Sequence, residues 1–161
     1  MRIQKTIVFG ASALWALASF GAVTQQDIEG TWACDPYTMT GQNMTVTVTE
    51  QRTYGAAGSY FESETSLVKV NNGITVTTES NARGSWSLVK DTITLRFASV
   101  KFLSSSNSNY TVAMGQLALD EQHRKKDWST SKVLEFRQRL VTTPIQPMYK
   151  EAQVVVSCTR I

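Results

Sequence analysis

Few side chains of this 161-residue chain have the types and spacing that chemistry requires. His123 is the only histidine and stands in the run His123-Arg124-Lys125-Lys126. General acid–base work and most zinc sites set a histidine against a partner at a fixed distance, and no second imidazole exists to supply one. His123 is therefore expected as a solvated side chain. The basic residues beside it, bracketed by Asp120, Glu121 and Asp127, are expected to form a solvated helix face rather than a phosphate or lipid site. Glu62 and Glu64 lie two apart on an expected strand, share one of its faces, and form the candidate acid pair. Phe61, just before them, points the other way, into the expected core, which leaves the two carboxylates on the outer face. Serines and threonines abound. Neither a Gly-x-Ser-x-Gly elbow nor a Ser-x-x-Lys motif flanked by its supporting signatures is present to activate one. The expectation is a protein with no catalytic residues, no metal and no cofactor.

Cys34 and Cys158 are the two cysteines, and what they do depends on where the chain works. Arg2 and Lys5 precede an apolar run from Thr6 to Ala18, the charge-then-apolar layout of a secretory signal peptide. Small residues suit cleavage after Ala18 or after Gly21, giving a leader over residues 1–21 and one domain over 22–161. The apolar run is shorter than the roughly 20 residues needed to span a bilayer, so no stable membrane anchor is expected after cleavage. Loss of Arg2 and Lys5 takes the formal charge from +3 to +1, which argues against nucleic acid as a partner. In the periplasm or outside the cell, two cysteines imply one disulfide. A Cys34–Cys158 bridge ties together the two ends of the mature domain, makes the first and last strands neighbours, and leaves no thiol for nucleophilic work.

The elements that position these residues read as strands. Met44, Val46 and Val48 alternate with Thr45, Thr47 and Thr49; Ile93, Leu95 and Phe97 alternate with Thr94 and Arg96; Val154, Val156, Cys158 and Arg160 share a face. Turn residues separate the runs at Pro36, 41–43, 71–73, 81–84, Lys90-Asp91, and Thr143-Pro144 with Pro147. About eight antiparallel strands fit between Gly30 and Arg160, a meander that closes on itself into a barrel. One segment differs: 115–128 lacks β-branched residues and predicts a short helix before the last two strands. Gly30-Thr31-Trp32 and Gly84-Ser85-Trp86 repeat one device, a glycine that lets backbones crowd followed by an aromatic plug. The span from Tyr54 to Tyr60, with glycines between its tyrosines, predicts a loop at the barrel mouth. Tyr54, Tyr60 and Phe61 are its possible binding residues.

The start Asp27-Ile28-Glu29-Gly30-Thr31-Trp32 resembles the Gly-x-Trp start of lipocalin-like barrels, and the layout is similar to that of small secreted bacterial barrels with a cysteine near the C-terminus. The resemblance implies that Trp32 closes one end of the barrel with Arg160 of the last strand packed on it, and that Trp86 is a second structural plug. The function it leaves open is a non-catalytic exported binding barrel for a small apolar ligand or for a protein met at the rim. The alternative is a periplasmic inhibitor or an accessory subunit of a cell-envelope assembly. A hollow interior separates the first from the second.

Overall fold

The structure is a computed structural model that describes residues 21–147 and 150–161. The expected leader, up to residue 20, lies outside the described residues. The chain forms strands β1 (Gly30–Cys34), β2 (Tyr37–Thr40), β3 (Met44–Tyr54), β4 (Ser59–Val70), β5 (Thr75–Val89), β6 (Thr92–Ser105), β7 (Trp128–Glu135), β8 (Arg139–Ile145) and β9 (Val156–Arg160). Neighbours in sequence pair antiparallel from β2 to β9, and β1 closes the ring by pairing with both β9 and β3. β1 and β2 lie end to end along β3, opposite Gln51–Tyr54 and Thr45–Val48 respectively. Asp35-Pro36 breaks them apart, since proline has no N–H to give a ladder. Counted round the ring, the barrel is eight-stranded.

Turn chemistry explains most of the corners. The 71–73 turn places Gly73 at φ +88°, and the Lys90-Asp91 turn places Lys90 at φ +57°. At 81–84, where a turn was expected, β5 runs straight through with a register shift between Arg83 and Gly84. A Cβ on Gly84 would lie 1.9 Å from the Arg96 carbonyl oxygen. The glycine marks a bulge with close backbone approach, not a reversal.

The helix falls at α2 (Val112–Lys125), three residues earlier than its sequence expectation. Thr111 starts it, its hydroxyl accepting from the Met114 N–H at 3.3 Å, while Trp128 already belongs to β7. His123, Arg124 and Lys125 fill its last turn, where cations complement the carbonyl end of the helix dipole. Three strands follow α2 rather than two, because Thr143-Pro144 sits inside β8 and the reversal before it, at 136–138, contains no glycine or proline. None of the helices in the described residues is long and apolar enough to cross a membrane.

One end of the barrel is packed shut. A short helix α1 (Gln25–Ile28) lies across it, and its Ile28 carbonyl accepts from Trp32 Nε1 at 2.8 Å. Trp32, Tyr54, Tyr60 and Trp86 are all buried there. The Tyr54 ring centroid lies 5.3 Å from those of both Tyr60 and Trp86. Arg160 pairs with Trp32 across the β1–β9 seam, and its guanidinium sits 4.4 Å above the indole. The same guanidinium donates to the carbonyls of Glu29 and of Asp27, the latter at 2.7 Å. Gly30, at φ +127°, is required beneath it, because a Cβ there would come within 2.7 Å of Arg160 Nη1. Two residues along the same seam, Cys34 and Cys158 face each other and are bonded. The disulfide and the Trp32–Arg160 contact both stand as expected.

Candidate functional site

The candidate site is the lumen beyond that plug, and the β3–β4 hairpin builds its floor. Side chains with even numbers on both strands point inward, and the register opposes Tyr54 to Tyr60, Arg52 to Glu62, Glu50 to Glu64, Val48 to Ser66 and Val46 to Val68. From the plug outward, the rungs are thus aromatic, ionic, acidic and then small or apolar. Two carboxylates directly opposite on one face repel each other. Arg52 moderates this: its guanidinium makes an ion pair with Glu50, and its Nε lies 3.7 Å from Glu62 Oε2. The Tyr60 hydroxyl donates to Glu62, and Ser66 Oγ donates to Glu64 Oε1 at 2.5 Å.

The satisfaction is incomplete. Glu50 is 5% exposed, and despite the ion pair its Oε1 receives no hydrogen bond; Arg52 Nε also lacks an acceptor. Oxygens of Glu50, Glu62 and Glu64 lie within 4.8 Å of one another, so three carboxylates share one guanidinium. Burial pushes the Glu50 carboxyl up to about 7 against the opposing pull of Arg52, with the charges of Glu62 and Glu64 adding to the rise. Burial and the Glu62 charge likewise raise Glu64. Desolvation raises the hydroxyls of Tyr37, Tyr54 and Tyr60, which remain neutral donors. The electric field of the carboxylates holds Arg52 protonated in spite of its burial.

Two cavities meet at this floor. One, of about 280 Å³, has Glu50, Arg52, Glu62 and Glu64 at its base and Leu95, Phe97, Trp128 and Val156 among its walls. Lys126 stands at its edge, its ammonium 4.2 Å over the Trp128 ring and bonded to the Gln146 carbonyl. The other, of about 440 Å³, lies under α2 and is lined mainly by Val46, Val68, Val76, Phe102 and Leu119. Glu64 is the residue common to both linings. α2 is held over its cavity by close packing: a Cβ on Gly115 would fall 2.5 Å from the Phe102 ring, and Gln116 receives the Phe102 N–H and donates to the Val100 carbonyl.

The sequence expectations for this region need three corrections. Glu62 and Glu64 point into the lumen, and Phe61 is on the outer face, half-buried with Arg83 5.5 Å from its ring. Tyr54 and Tyr60 do not present a contact surface: they pair across the hairpin and are buried in the plug. The segment between them is a tight 3-10 turn (Ala56–Gly58), pinned by a hydrogen bond from Trp86 Nε1 to the Gly55 carbonyl. His123 is half-buried, with an Nδ1 that has no hydrogen-bond partner, rather than fully solvated.

Glu50, Arg52 and Tyr37 were missed altogether. A signal for two of them existed: the parity of Met44, Val46 and Val48 continues through Glu50, Arg52 and Tyr54, so residues expected to face the core included an acid and a base.

A closed eight-stranded antiparallel barrel, plugged at one end by a tryptophan and its arginine and hollow beyond, is consistent with a lipocalin-like fold. No protein-family model and no curated protein matches the chain.

Proposed function

We propose that this is a non-catalytic binding barrel of the lipocalin-like kind, exported to an oxidising compartment, which holds a small molecule in its lumen. One observation carries the reading: the barrel interior is hollow on both sides of Glu64, with a polar base and mixed walls on one side and a mostly apolar lining on the other. A barrel serving only to display loops gains nothing from such space, because filling it with side chains would add packing stability. Pockets that hold small molecules combine apolar lining with a few placed polar groups, and this lumen has that composition. The original expectation of a purely apolar ligand is replaced by one with a polar head. The bonded Cys34–Cys158 pair supports an oxidising compartment.

Native mass spectrometry of the protein purified from its own cell envelope or medium tests this. A retained small molecule that is lost on denaturation is expected. A barrel that is invariably empty, and that co-purifies instead with a stoichiometric protein, overturns it. That second outcome is the signature of an inhibitor or accessory subunit, for which the exposed Met114 and Leu117 on α2 would supply an apolar contact.

A further inference from the structure

We propose that the ligand is an amphipathic organic cation, its ammonium or guanidinium group held by Glu50, Glu62 and Glu64 and its apolar chain lying beneath α2. The inference rests on the lumen-binding reading and names the chemistry of its occupant. Three carboxylates share a single internal guanidinium, and the most buried of them, Glu50, lines the cavity with an Oε1 that the Arg52 guanidinium meets as an ion pair but not as a hydrogen bond. A donor-rich cationic head supplies both the missing charge and the missing N–H groups. An unaccompanied metal ion fits less well. The Arg52 guanidinium already lies against Glu50 and near Glu62, where it would repel a dication. The valines, Phe102 and Leu119 on the far side of Glu64 would also serve no purpose for a bare ion. Because Glu64 lines both cavities, a head seated on it leaves the chain pointing directly into the apolar one.

Isothermal titration of the oxidised protein with octylamine, octanol and octanoate tests the proposal, since the three share a chain and differ in the head. Octylamine is expected to bind about tenfold or more tighter than octanol, as a charge-assisted hydrogen bond exceeds a neutral one, and octanoate is expected not to bind. Lengthening the amine should tighten binding by about fourfold per methylene until the space under α2 is filled. Glu64→Gln keeps the shape and the Ser66 hydrogen bond, and should remove the preference for the amine while leaving octanol unchanged. Ala118→Trp, which fills the α2 cavity without touching the carboxylates, should weaken octylamine but not methylamine.

Equal binding of amine and alcohol overturns the cationic assignment and leaves the binding barrel standing. Preference for octanoate does the same, and assigns the head to Arg52. Mn²⁺ that displaces octylamine, and whose own binding is lost in Glu64→Gln, reassigns the carboxylates to a metal and overturns it. Failure of all three probes removes both proposals.

Discussion

The aromatic plug and the acidic floor are adjacent rungs of one hairpin, yet they obey opposite rules. At Tyr54–Tyr60 the two rings pack on each other and Tyr54 packs on Trp86, and the indole N–H groups of Trp32 and Trp86 each have a carbonyl to donate to. Over the next two rungs an Arg52–Glu62 ion pair gives way to the facing carboxylates of Glu50 and Glu64, and buried polar atoms stay unpaired. Leaving such groups unsatisfied costs about 1–3 kcal/mol each, so the plug must supply the stability that the floor gives up. Stability and binding are thus divided along a single pair of strands.

Changes at each region should therefore separate cleanly. Replacing Cys34 with Ser should cost about 2 to 5 kcal/mol, seen as a lower melting temperature with ligand retention unchanged below it. An unaltered melt under oxidising conditions would show that the seam needs no clasp.

Next in size is the floor itself. Burial holds the Glu50 carboxyl at about 7, against an ordinary 4.5. Between those values the folded chain keeps a proton that the unfolded chain releases, so stability should fall as pH rises from about 4.5 through about 7 and level off above. The loss is on the order of 3 kcal/mol. Glu64, shifted the same way, adds to the slope. Urea unfolding at pH 5 and pH 8 measures it, and Glu50→Gln should flatten most of it; a slope of the opposite sign would mean that these carboxyls are ionised and well paired.

The smallest effect is expected from Arg160→Ala, about 0.5 to 2 kcal/mol for a cation over an indole. It should lower the melting temperature without altering octylamine affinity, whereas Glu64→Gln should do the reverse. If Arg160→Ala alters affinity and not stability, the division between the two regions collapses.

Much of the plug was legible in the residues, and most of the floor was not. Trp32, Trp86 and Arg160 are large or charged groups at distinctive spacings, and the two cysteines fixed the seam. The floor failed for a definite reason. On β4 the inward set is Tyr60, Glu62, Glu64, Ser66 and Val68, and the outward set is Phe61, Ser63, Thr65, Leu67 and Lys69. Neither is clearly the more apolar, so alternation alone cannot choose the face. Only the turn decides: with Tyr54 opposite Tyr60, the parity of Val46 and Val48 passes from β3 to β4 intact. Reading that turn as a loop at the barrel mouth removed the one link that would have carried Glu62 and Glu64 inside.

The seam also governs the order of events in time. β3 and β4 meet along their whole length across a short turn, whereas β1 and β9 share only the three rungs from Trp32–Arg160 to Cys34–Cys158, brought together across a separation of 124 residues. Local hairpins form quickly, and distant pairings wait on the entropy of closing a long loop. The β1–β9 ladder is therefore expected to zip last during folding, and the Cys34–Cys158 bond then holds it closed. Until it zips, two strand edges lie open to pairing with other chains. The covalent bond acts as a ratchet on that final step, so the oxidising power of the compartment sets how long each new molecule remains at risk of aggregation.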